Sequence, residues 1–222
     1  FNKNDIRASI KEFLFVVNNF PNTAYFMEAL TGLQASYMSL GNIDEYLEII
    51  NKLPNISISK AEQDSLTYNT AFMKFSQGKY SVANSGFSSY LKQFSNGIFK
   101  LDAIYYNAIC FQNLGDTSSA VQRYSDLINI SGSVYQEPAL AFLARQYYAK
   151  ADFLKSNEYY SYLLQLTIDN SLRREALIRL MYGYENIDSE LAFQYATEVA
   201  DFNKIDDWLI NKSRLIIARY EF

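Results

Sequence analysis

The stretch QGKYSVANSGFSSYLKQFSNG, residues 77–97, opens on a glycine turn and then sets Ala83, Phe87 and Tyr90 at steps of four and three, the spacing of one helix face. It decides the fold because it returns. LGDTSSAVQRYSDLINI places Gly115, Ala120, Tyr124 and Leu127 where Gly78, Ala83, Phe87 and Tyr90 stood, and ADFLKSNEYYSYLLQL repeats the pattern with Ala151, Ser156, Tyr160 and Leu163. Weaker copies follow Gly41 (Tyr46, Ile50, Leu53) and Asn186 (Ala192, Ala196, Val199), and a half-copy opens the chain with Ser9, Phe13 and Val16. The equivalent positions 9, 46, 83, 120, 156 and 192 stand 37, 37, 37, 36 and 36 residues apart. A constant period of that size means stacked repeats, a solenoid.

Each repeat also carries an earlier helix, with apolar residues at three- and four-residue steps such as Ile104, Ala108 and Phe111, then Leu140, Ala144 and Tyr147. The unit is therefore a helical hairpin. Gly41, Gly78 and Gly115 are expected to end first helices because that turn needs a residue at ease with positive φ, and the fifth copy offers Asn186 in the same place. Capping boxes are expected from Ser59 to Glu62 and from Ser133 to Gln136, and Asp116 is expected to cap a second helix. The small residues Ala83, Ala120, Ser156 and Ala192 should face the first helix of their own hairpin, where a short side chain lets two backbones approach; Tyr46 departs from this rule. The aromatic four residues later should fill the gap to the next hairpin, which accounts for much of the 16% aromatic content by packing alone.

Composition removes most chemistries. Histidine is absent and Cys110 is the single cysteine, so internal disulfides, catalytic triads and His-containing metal motifs are excluded. Cys110 lies in the apolar run AIYYNAICF and reads as a packed core thiol. A net charge of −4 with scattered Lys and Arg gives no basic stripe for nucleic acid, and no run approaches the roughly 20 apolar residues that span a bilayer. There is no Gly-rich phosphate loop. Asp206, Asp207, Glu175 and Glu158 read as solvated helix-start charges, so no catalytic, cofactor-binding or metal-binding residue is nominated and no cofactor is expected. The Asn-x-Ser triplets at Asn55, Asn129 and Asn211 read as chance in a chain rich in both residues.

On these residues the chain resembles the tetratricopeptide repeat (TPR) family. Ala71, Ala108 and Ala144 match its eighth position, Ala83, Ala120 and Ala192 its twentieth, Phe87, Tyr124 and Tyr160 its twenty-fourth, and Pro21 its thirty-second. Two departures stand out: the period exceeds the family's usual ~34 residues, and Lys74 occupies a position where a buried aromatic is usual. Within the family, YLKQFSNGIF and AIYYNAICFQNLGD look most like bacterial envelope members, of the Tol-Pal periplasmic coordinator and outer-membrane assembly lipoprotein types.

The resemblance implies an all-α, right-handed superhelical solenoid of about twelve helices. Its parts would be a half-repeat at 1–21, repeats at about 22–58, 59–97, 98–132, 133–169 and 170–203, and a trailing helix at 204–222. The segment is expected to be a slice of a longer repeat protein in the bacterial periplasm or envelope. It implies a non-catalytic scaffold for a protein or peptide partner, with no nucleic acid and no membrane insertion. A tyrosine-rich module for glycans or small ligands is the alternative. Family geometry would line the concave groove with Tyr68, Phe72, Tyr105, Gln112, Asn113, Arg145, Tyr148 and Tyr184, among further positions that include Phe75, Asp102 and Arg174. The resemblance does not imply the terminal-carboxylate clamp of chaperone-tail adaptors, because Ala35, Phe72, Ile109, Arg145 and Met181 hold its ninth positions and none is Asn.

Overall fold

The computed structural model describes residues 3–130, 132–202 and 206–222. Residues 1, 2, 131 and 203–205, at the edges of the expected repeats and at the start of the expected trailing helix, lie outside the described residues. Among those described there are twelve helices and no strand, so the described residues form an all-α array of helical hairpins. In order these are α1 Lys3–Asn19, α2 Tyr25–Leu40, α3 Ile43–Lys52, α4 Lys60–Ser76, α5 Tyr80–Gln93, α6 Lys100–Asn113, α7 Thr117–Ile128, α8 Gln136–Ala149, α9 Phe153–Leu166, α10 Asn170–Tyr184, α11 Ser189–Ala200 and α12 Asp207–Glu221.

The chain divides into two compact units, Phe1–Ala120 and Val121–Phe222. In the first, α1 packs on α2, α2 on α3, α4 on α5, α5 on α6, and α4 also meets α6. In the second, the neighbours run α8 to α9, α9 to α10, α10 to α11 and α11 to α12. Second helices such as α5 and α9 thus lie between their own first helix and the next one, the arrangement that a recurring amphipathic hairpin must adopt to bury both of its faces.

The small residues of the second helices are buried. Ala83, Ala120 and Ser156 have no solvent exposure and Ala192 has 1%. Ser156 donates its hydroxyl to the Ala144 carbonyl at 3.1 Å, which places the backbones of α8 and α9 within reach of one short side chain. In α5, a Cβ placed on Gly86 would stand 2.8 Å from the Ala71 Cβ of α4. Phe87, Tyr124 and Tyr160 are buried as packing required, and Tyr46 is buried as well. Burial pushes the Cys110 thiol up to about 12, which leaves it protonated and inert.

The turns follow one design. Gly41, Gly78 and Gly115 sit at φ of 81°, 70° and 79°. In each turn the residue after the glycine donates its N–H back to the helix, from Asn42 to Tyr37, Lys79 to Lys74 and Asp116 to Phe111, which satisfies carbonyls the ended helix would orphan. In the fourth copy Ala151 takes the same left-handed conformation at φ 58°, with Asp152 N–H bonded to the Tyr147 carbonyl. Asn186 does not: among the described residues Gly41, Gly78, Gly115, Gly132, Asn55 and Ala151 are those with positive φ, and the α10 turn is instead closed by the Ile187 and Asp188 N–H groups on the Tyr184 carbonyl. That turn runs one residue longer than its counterpart after α8, so no single position has to take the left-handed conformation.

The box at Ser59 forms in full, since Ser59 N–H donates to Glu62 Oε2 at 2.8 Å and Glu62 N–H to Ser59 Oγ at 3.2 Å. The one expected at Ser133 does not, because Gln136 sends its amide to the Ile128 carbonyl at 2.7 Å instead of back to Ser133. Asp116 accepts the Ser119 N–H at 3.0 Å and both the Ser118 and Ser119 hydroxyls, and so caps α7 as expected.

Two buried polar groups fasten the first unit, and one of them accounts for the departure at Lys74. Lys74, 2% exposed, sends its ammonium to the Ser39 carbonyl in the last turn of α2, where the helix dipole and an orphan acceptor favour a cation. Asp64, 7% exposed, accepts the Tyr90 hydroxyl at 2.6 Å and the Ile98 N–H at 3.0 Å, while that hydroxyl accepts the Phe99 N–H at 3.0 Å. A Cβ on Gly97 would come within 2.8 Å of Asp64 and of Phe94. The YLKQFSNGIF stretch is therefore a turn lock between α5 and α6, built from Tyr90, Gly97 and two backbone amides.

Candidate functional site

In the second unit, α10 buries Ala176, Leu177, Leu180, Met181 and Gly183. The remaining strip, Arg174, Glu175, Ile178, Arg179 and Tyr182, lines an open groove of about 560 Å³ together with Ser171 and Trp208. Trp208 comes from the first turn of α12, whose buried side is Leu209, Ser213 and Ile216. The chain's one tryptophan is thereby left 67% exposed, with its ring 6.3 Å from that of Tyr182 and inclined by only 29°.

The charged groups of this face are held in defined places. Arg145 of α8 grips Glu175 through two parallel hydrogen bonds, Nε to Oε1 at 2.7 Å and Nη2 to Oε2 at 2.5 Å, and the Tyr160 hydroxyl donates to the same Oε1 at 3.0 Å. The Arg145 bonds hold the Glu175 carboxyl below the usual carboxylate range, and burial followed by the charge of Glu175 raises Tyr160. The Arg179 guanidinium lies over the Tyr148 ring, 4.4 Å from its centroid, forms no ion pair among the described residues, and adds a smaller downward push on the Glu175 carboxyl. Further along, Lys212 and Arg219 of α12 both engage Glu185, at 2.5 and 3.2 Å. Among the described residues no group of three or more Cys, Asp or Glu side chains is placed to hold a metal ion.

The eight residues expected to line a groove divide between the two units. In the first unit, Tyr68 is only 6% exposed and its ring stacks on Phe99 at 4.4 Å, so it belongs to the core and offers nothing to a partner. Phe72 is half-buried against Tyr106 at 4.9 Å. Tyr105 is half-buried beside Tyr106, with its hydroxyl raised first by burial and then by Tyr106. Gln112 and Asn113 are exposed at the end of α6, and Asn113 donates to its own helix at Ile109.

In the second unit, Arg145 and Tyr148 do share a face, but Arg145 is occupied by Glu175 and Tyr148 serves as the platform under Arg179. Tyr184 points elsewhere, stacking on Tyr195 of α11 and lining a separate hollow with Leu154, Glu158 and Tyr162 of α9. The sequence reading missed Ile178, Arg179, Tyr182 and Trp208. The signal was present for α10, in a strip running i, i+1, i+4, i+5, i+8 from Arg174; for Trp208 it was a lone tryptophan in the first turn of a helix. The first unit has its own groove of about 580 Å³ between α2, α3 and α4, walled by Met27, Gln34, Tyr46, Ile56 and Leu66.

No family model matches the chain and no curated protein matches its sequence. Among solved structures, the chain is similar over 99% of its length to BtubC from P. vanneervenii, at 13% identity and a TM-score of 0.49, covering 91% of that chain. It is likewise similar over 99% of its length to a TPR repeats protein from Bacteroides fragilis, at 14% identity and a TM-score of 0.43, covering 88% of that chain.

Proposed function

We propose that the protein is a non-catalytic interaction scaffold and that it holds a segment of a protein partner in the α10 groove of its second unit. The observation that carries this reading is Trp208: a large ring left 67% exposed on a helix, supported from one side by Tyr182, has the form of an interface anchor waiting for a contact on its open side. Tyrosine and tryptophan present broad area with few rotatable bonds, and Arg adds a directional donor, so the set Trp208, Tyr182 and Arg179 suits a peptide chain.

The bacterial envelope setting is proposed on the resemblance of residues 90–99 and 103–116 alone. Much of the first stretch is accounted for by the turn lock of Tyr90, Asp64 and Gly97.

The test is selection of random dodecapeptides displayed on phage, on wild-type protein and in parallel on Trp208→Ala, with circular dichroism showing that the variant keeps its helices. Peptides enriched on wild type and lost on the variant are the expected result. Enrichment that is equal on both proteins, or none on either, overturns the assignment of this groove.

A further inference from the structure

Resting on the reading of the α10 groove as a docking face, we infer that its partner is an acidic peptide segment, with a side-chain carboxylate seated on Arg179 and a neighbouring apolar side chain against Trp208 and Ile178. Charge complementarity carries the choice. Two carboxylates beside the groove are already engaged: Glu175 by Arg145 and the Tyr160 hydroxyl, Glu185 by Lys212 and Arg219. Asp206 and Asp207, next to Trp208 in the chain, form no ion pair with Arg179. Arg179 is thus a groove-lining cation that forms no ion pair among the described residues.

It is also held in place. Its guanidinium lies 4.4 Å from the centroid of the Tyr148 ring, a contact that fixes the plane of the group while leaving its edge of N–H donors free for the two oxygens of a carboxylate. Arg174 lines the same groove and adds positive charge. The groove's apolar element is Trp208 with Ile178, so the recognised segment combines an acid with an adjacent apolar or aromatic residue, bound through side chains rather than through a chain terminus. An acidic chain would otherwise repel such a segment, and a positioned cation is what converts repulsion into selective encounter.

The selected phage pools give the readout. On wild type the groove-dependent peptides should be enriched in Asp and Glu over the starting library. An enriched peptide, synthesised with both ends capped, should lose about tenfold or more in affinity on Arg179→Glu and on replacement of its own Glu by Gln. Binding should weaken as salt rises. A Lys-for-Glu version of the peptide should regain affinity for Arg179→Glu, a rescue that a merely misfolded variant would not show. Arg179→Gln, which keeps much of the stem packing over Tyr148, serves as the second variant and should also weaken binding.

If groove-dependent peptides are recovered but carry no acidic excess, or if their Gln analogues bind about as well, the acidic inference is overturned while the docking face stands. If no peptide depends on Trp208, the docking reading itself is overturned and the inference falls with it.

Discussion

Replacing Ala151 with glycine should stabilise the protein, against the usual direction of such a change. Ala151 holds φ at 58°, in the place where Gly41, Gly78 and Gly115 hold theirs. A residue with a Cβ is disfavoured there by roughly 1 to 2 kcal/mol, whereas glycine's extra freedom in the unfolded chain takes back about 0.4 to 1 kcal/mol. The Ala151 methyl is exposed, so its removal forfeits little packing.

The expected net gain is about 1 kcal/mol, or ~2 to 4 °C in melting temperature for a chain of this size. The reverse changes are the control. A Cβ on Gly78 or Gly115 would meet nothing within 4 Å, so Gly78→Ala and Gly115→Ala should each cost about 1 kcal/mol from backbone conformation alone. Gly41→Ala should cost more, because its Cβ would stand 2.7 Å from Val82 Cγ1. Calorimetry and urea unfolding of the four variants give the order directly. A neutral or destabilising Ala151→Gly, set beside destabilising glycine variants, would refute the claim that the fourth hairpin turn is strained.

Tyr90→Phe should cost about 1 to 3 kcal/mol in urea unfolding, because it leaves the buried Asp64 carboxylate and the Phe99 N–H each short of a partner; a neutral result would mean that water replaces the hydroxyl. Gly86→Ala should cost about 1 to 3 kcal/mol by forcing α4 and α5 apart, measured in the same way, and a cost below that of Gly115→Ala would misplace the close approach. The Glu175 carboxyl titrates lower in the folded protein than in the unfolded chain, so the stability it contributes is fully present above the ordinary carboxylate range and is lost as pH falls through that range and below it. Glu175→Gln should therefore flatten the acid side of the pH–stability curve, and an unchanged curve would show the Arg145 pair to be energetically silent.

The hairpin repeat was legible because its causes are local. A glycine at a positive-φ turn, a small residue at a close crossing and an aromatic four residues on each answer a constraint set by neighbours in the chain; the small residue and the aromatic appear at the expected positions in α5, α7 and α9, and the glycine before α5 and α7. The groove was not legible to the same degree. Whether Tyr68 faces a partner or Phe99 depends on a residue 31 positions away, 99 minus 68, at the start of the next hairpin. Tyr148 and Arg145 both reach α10, and what they do there is decided by Arg179 and Glu175, 31 and 30 positions on (179 minus 148, 175 minus 145). Repeat positions predict orientation, and only the neighbouring repeat decides what that orientation meets.

The buried ammonium of Lys74 gives the array a rule of neighbourhood. It closes the end of α2, one hairpin back, on a carbonyl that its own helix cannot satisfy. One period of 37 residues on, 74 plus 37, the equivalent position is Phe111, which carries no donor. Excising the hairpin between them would keep the helix count in step and the apolar stripes in phase, yet it would set a phenyl ring against the Ser39 carbonyl. The hairpins are thus alike in shape but not interchangeable in order: α2 carries a lock whose key is on α4. A lineage that gained or lost repeats by unequal recombination would have to replace such keys before the shuffled array could close.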